Sequence, residues 1–192
     1  MTFLPLWNHG PWMWQWSVVT AAALLAAICD LRSRRIPNLL TGPLFAGGVC
    51  LAACVGGVGG VVDSLAGCIL ASLPYVILFI WAGGGAGDAK MMGAIGAWVG
   101  LKGGTIVLVC VALAGAIVAV IWAWRGGRMR RLAADLYAIV ARAVCAAGGV
   151  AGWRNSSLRV ATQPYPADAM PYGLAILMGM LTASAVVWFC RQ

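Results

Sequence analysis

The chain has 192 residues, of which 62% are hydrophobic and 9% charged, with a formal net charge of +8 and a mean hydropathy of +0.92. That leaves too little polar surface to coat a water-soluble globule, and it predicts an all-α, polytopic membrane helix bundle. A span takes roughly 20 apolar residues, so there is room for about six transmembrane helices and no soluble domain beside them. The chain therefore reads as one membrane domain, 1–192.

Residues 1–11 carry Pro5 and the only histidine, His9, and Trp7, Trp12, Trp14 and Trp16 follow as an aromatic belt does at a headgroup layer. His9 reads as interfacial rather than as a ligand. The first span, 12–28, lacks a basic start and a small-residue cleavage site, so it is expected to be a retained helix. It delivers Asp30 to the far face, where Arg32, Arg34 and Arg35 follow. Those arginines mark that face as cytoplasmic and put the N-terminus outside.

Ile36, Pro37 and Asn38 turn the chain into a second span, 39–55, which ends in the glycine-rich turn 56–60. Asp63 is expected on the outer side as an N-cap or dipole partner of the third span, 64–81. Next comes GGGAGDAK, Gly83 to Lys90. The segment 89–100 is too short for a full perpendicular crossing, so its first turn, with Asp88, is expected to be buried in protein or to face a water-filled cavity. Gly93, Gly96, Ala97 and Gly100 recur three or four apart, which lets a neighbouring helix come close. Lys102 and the glycines after it read as an outer turn before the fifth span, 105–124.

The segment at about 125–169 is the long polar connection, expected on the cytoplasmic side. Within it Leu132, Leu136, Ile139, Val140, Ala143 and Val144 form one helical stripe, with Arg128, Arg131, Asp135 and Arg142 to one side. Such a helix suits the surface of a bilayer rich in anionic lipids, and a helix packed on its own bundle would show the same pattern. Pro164, Pro166 and Pro171 then predict an extended loop before the sixth span, 170–189. In this layout eleven of the thirteen basic residues are cytoplasmic, Lys102 and Arg191 being the exceptions. The basic charge thus reads as topology in an inner (cytoplasmic) membrane, and nucleic acid is not expected as a partner.

The seven cysteines form no CxxC pair and read as small buried hydrophobes, so no metal and no disulfide is expected. The acids number five, all aspartate. Ionisable groups at the edge of membrane spans are costly and are functional candidates by default. Taken singly, Asp30 could pair with Arg32 or Arg34, and Asp88 could cap its helix or pair with Lys90. Taken together, they lie at one depth, and glycines before Asp88 allow close backbone approach. Two close carboxyls titrate as a unit. The ionised member can take a proton from water while the protonated one polarises a peptide carbonyl and later protonates the leaving amine. No HExxH, GxSxG or cysteine–histidine arrangement competes, and no cofactor is expected.

Asp30, Arg32, Ile36, Pro37 and Asn38, followed by Gly85, Gly87, Asp88 and Lys90, resemble the two aspartate motifs of the type IV prepilin peptidases, membrane aspartyl proteases of the GxGD kind. Pro171 to Gly173 is similar to the start of that family's C-terminal helix. The resemblance implies that Asp30 and Asp88 are catalytic and that the substrates are prepilin or pseudopilin leader segments, cut at the cytoplasmic face. Longer members carry a cysteine-rich insertion associated with zinc and N-methylation, which has no counterpart here. The resemblance is thus to the short, peptidase-only type found with tight-adherence (Flp) pili and with archaeal preflagellin processing. Two other classes fit the same residues: a small ion- or proton-coupled transporter subunit with Asp30 and Asp88 as a relay, or a non-catalytic assembly protein of a pilus or secretion system. A transporter would be expected to show an inverted repeat and midplane charges.

Overall fold

The computed structural model describes residues 13–33, 36–82, 85–127, 129–130, 133–134, 137–138, 140–141 and 172–190. The Trp-rich N-terminal stretch to residue 12, most of the amphipathic stripe, Asp135 and Asp168 lie outside the described residues. Four helices carry the fold: α1 (Met13–Ser33), α2 (Asn38–Ala82), α3 (Ala86–Arg125) and α4 (Tyr172–Phe189). All four are long and apolar enough to cross a membrane, and the described residues form no strand.

Two of these helices are far longer than a bilayer is thick. At about 1.5 Å per residue a straight α2 or α3 would reach about 60 Å or more, twice the hydrocarbon core. Each is instead broken at one left-handed glycine, Gly57 (φ 55°) in α2 and Gly100 (φ 68°) in α3. A residue with a Cβ is strained in that conformation. The contacts show that both breaks are reversals. The Trp98 indole donates to the Leu44 carbonyl, and the Ser64 hydroxyl donates to the adjacent Ala97 carbonyl at 2.7 Å. Leu44 and Ser64 would stand about 30 Å apart on a straight helix, so α2 must fold back at Gly57.

In α3 the same argument rests on Tyr172. Its hydroxyl abuts Gly115 and lies within Coulombic reach of Asp88, although residues 88 and 115 would be about 40 Å apart on a straight helix. The reversal falls at Gly100, a little before the outer turn expected at Lys102. Likewise the expected five-residue turn at 56–60 reduces to Gly57 alone.

The first arm of α3 is the centre of the molecule. Residues 91–97 are all buried, with Met91, Met92 and Ile95 fully so. Lipid is as apolar as these side chains, so what holds the arm is close packing rather than exclusion of water. The spacing of its small residues supplies it: Gly96 meets the Gly67 backbone, and Gly93 faces Cys68 and Ser72. Across the other face, α1 offers the stripe Val19, Ala22, Ala23, Ala26 and Ala27, all buried, while Leu24, Leu25 and Ile28 point outward. That stripe packs on α3 and α4.

Three expectations change. α1 continues past Ile28 to Ser33, so Asp30 is inside its last turn. Trp14 and Trp16 are not wholly interfacial: Trp14 meets Trp98 edge-on at 6.0 Å, and Trp16 packs on the core. Asp63 does not cap a helix that begins beside it, since α2 is helical on both sides of it. Its carboxylate accepts the Leu101 amide at 3.3 Å, and so caps the arm of α3 that restarts after Gly100. An acid at a helix start remains its role, but the helix is another one.

Candidate active site

Asp30 and Asp88 come together from the last turn of α1 and the first turn of α3, both half-buried. Their carboxyls lie within Coulombic range of each other. Among the described residues, Asp30 and Asp88 have other surroundings than Arg32 and Lys90. Asp30 Oδ2 accepts the backbone amide of Gly173, in the first turn of α4, at 2.7 Å. Lys90 does not turn to Asp88; its ammonium donates to Asn38 Oδ1 at 2.9 Å.

The two short motifs dock on each other residue by residue. Pro37 contributes its carbonyl, which accepts the amides of Leu40 and Thr41 and starts α2. Asn38, the first residue of α2, holds Lys90. Ile36 lies against Gly87, where an added Cβ would come 3.1 Å from the isoleucine Cβ. Gly85 precedes α3 as its N-cap, and there a Cβ would fall 2.8 Å from Asp88 Oδ2. Gly85 and Gly87 thus each have their own steric reason: the first leaves room for the carboxylate, the second for the facing motif. Arg32 is exposed at the end of α1, free to meet solvent or headgroups.

Beside this junction is a cavity of about 470 Å³ between the two arms of α2 and the start of α3, lined by Asn38, Thr41, Phe45, Ser72, Lys90 and Gly93 among others. Neither aspartate lines it, but Ala89 and Lys90, next to Asp88, do. Paired carboxyls beside a largely apolar cavity with Asn38 and Lys90 at its edge are suited to acid–base chemistry on a bound chain.

Tyr75 escaped the sequence reading, and Tyr172 and Gly173 entered it only as part of the Pro171–Gly173 triplet. Tyr75 and Tyr172 both lie within Coulombic reach of Asp88, and Gly173 supplies the amide to Asp30. A tyrosine inside an apolar run looks like filler, and a backbone amide leaves no mark in sequence. The one available signal was the Pro171–Gly173 triplet at the head of the last span.

Comparison with known proteins decides the family. The type IV leader peptidase family matches residues 17–120, more than half of the chain and including both aspartates. The chain belongs to that family. Among curated relatives, a prepilin leader peptidase/N-methyltransferase of Burkholderia pseudomallei strain 1026b is 32% identical over 122 residues, 57% of this chain and 37% of that protein. One of the same description from Xanthomonas campestris pv. campestris is 32% identical over 139 residues, 65% of this chain and 46% of that protein. The chain thus spans less than half the length of these relatives. No solved structure matches significantly. The family match ends before α4, so the Gly173–Asp30 bond lies partly outside it.

Proposed function

We propose that this chain is an aspartic endopeptidase that removes the leader peptides of prepilin-like substrates at the cytoplasmic face of the inner membrane. Asp30 and Asp88 act as the acid–base pair. The observation that carries the reading is the docking of the two motifs through Ile36–Gly87 and Asn38–Lys90, which brings Asp30 and Asp88 within range of each other in a member of this family. In this reaction one carboxylate takes a proton from water as the water adds to the scissile carbonyl. The other, protonated, polarises that carbonyl, and a carboxyl then returns a proton to the leaving amine. The cavity beside Lys90 receives the extended substrate. Co-expression with a prepilin tests the activity: a shortened product is expected, and an unprocessed prepilin would defeat the reading.

In this proposal the chain crosses the membrane six times: once each in α1 and α4 and once in each arm of α2 and α3. The first arm of α3, 86–99, is about 20 Å long, so it completes its crossing by keeping its first turn, with Asp88, in a water-filled recess below the headgroups. The segment at 125–169 is cytoplasmic, where its arginines meet anionic lipids, and the N-terminus is outside. A reporter inserted at Gly127 is expected on the cytoplasmic side and one at Val58, 83% exposed beside the α2 reversal, on the opposite side. Both reporters on the same side would rule out the fold-back of α2 within the bilayer.

The relatives are described as prepilin leader peptidase/N-methyltransferases, but these 192 residues contain no CxxC pair. We assign peptidase chemistry alone to them, as in the short type that serves tight-adherence pili. Mass spectrometry of the processed pilin is expected to show an unmethylated N-terminus when this chain is the sole processing factor; a methyl group that depends on it would overturn the assignment.

A further inference from the structure

Tyr172 opens α4, and its side chain is lodged between two other helices. The hydroxyl faces Gly115 in the second arm of α3, where an added Cβ would lie 2.6 Å from the oxygen. Its ring meets Tyr75 of α2 edge-on, with centroids 5.8 Å apart and planes at 69°, and the two phenol groups interact electrostatically. Tyr75 is 6% exposed, and the Tyr172 phenol is a polar group brought beside it in that buried setting.

The next residue is Gly173, whose amide donates to Asp30. It lies so close to α1 that a Cβ would fall 2.8 Å from Asp30 Cβ and 3.0 Å from Ala27 Cα. Within one helical turn, the seat of the Tyr172 ring therefore fixes where the following amide points. We propose that Tyr172 is a positioning residue: clamped by Tyr75 and Gly115, it holds the first turn of α4 so that the Gly173 amide keeps the Asp30 carboxyl in its working orientation. This rests on the reading of Asp30 and Asp88 as the hydrolytic pair. Both phenols also lie within Coulombic reach of Asp88, so the clamp borders both carboxyls.

A tyrosine pair that merely fills space would change how much protein folds and leave each folded molecule's chemistry alone. The two roles separate in the full chain, reconstituted in lipid, with a prepilin substrate and two readouts. One is kcat and KM measured separately. The other is the infrared band of the Asp30 carboxyl, assigned by its loss in Asp30→Asn, which is practical because the chain has five acidic side chains in all. In Gly115→Ala the new methyl displaces the ring by less than 1 Å. A full 1 Å misplacement costs about 100-fold, so kcat is expected to fall about tenfold. KM stays near the wild-type value, and the Asp30 band shifts.

The double variant Gly115→Ala/Tyr172→Phe removes the oxygen that clashes, and it is expected to recover most of the lost kcat and the band position. Should Gly115→Ala not fold, Tyr75→Phe, which deletes only the partner hydroxyl, should give a smaller kcat loss with a band shift. A band that does not move in these variants, with Asp30→Asn inactive, overturns the clamp alone. Cleavage by Asp30→Asn at the wild-type rate overturns the hydrolytic reading, and the role of Tyr172 in the reaction with it.

Discussion

Asp30→Asn and Asp88→Asn should each lower prepilin cleavage about a thousandfold, within the range that a positioned acid–base group contributes, while leaving the folded protein intact. Asparagine keeps the shape of the side chain and, at Asp30, an oxygen to accept the Gly173 amide. What it removes is the group that, in the proposed reaction, takes and returns a proton. Asp63→Asn is the internal comparison and should cleave normally, since an amide oxygen can still cap Leu101. Asp135→Asn is expected to remain active as well. Asp168, just before the sixth span on the expected cytoplasmic side, is the informative rival, tested as Asp168→Asn. If Asp168→Asn is inactive while Asp30→Asn cleaves normally, the pair is misassigned; if all five variants cleave normally, the aspartyl mechanism falls.

Gly100→Val should cost stability rather than chemistry. The position is left-handed, where a β-branched residue is strained, and its Cβ would collide with the Asp63 carboxylate that caps Leu101. Backbone strain and a lost charge-assisted hydrogen bond together amount to about 3 kcal/mol or more, to be read as a loss of unfolding free energy in lipid or detergent. Gly59→Ala offers the contrast. Nothing lies within 4 Å of a Cβ there and the residue is helical, so it should be neutral or stabilising by up to ~1 kcal/mol. Equal stability of Gly100→Val and the wild type would mean that the chain does not depend on this reversal.

These expectations rest on features of unequal legibility. The apolar runs and the glycines at 93, 96 and 100 could be read directly, because bilayer thickness and helix spacing constrain them locally. The two aspartates stood out because so few acids are present, and membrane burial makes each one costly. What could not be read were the long-range choices. Lys90 had Asp88 two residues away and took Asn38 instead, because the first turn of α3 faces the start of α2. Asp63 looked like the cap of its own helix and serves another, since nothing in its neighbourhood signals that α3 restarts beside it. Tyr75 and Tyr172 sit in apolar runs where any large side chain would satisfy the pattern. Only the packing of four helices against one another makes them neighbours of a carboxyl.

The Asp30–Gly173 bond joins groups 143 residues apart in sequence, and this separation orders the birth of the molecule. At about 5–20 residues per second, a ribosome needs roughly 7–30 s to pass from one to the other. Through that interval α1 is already made while the helix that will seat its carboxyl does not yet exist. The seat of the Asp30 carboxyl is therefore completed only once α4 is made, and until then a nascent chain carries an unfinished site into the membrane.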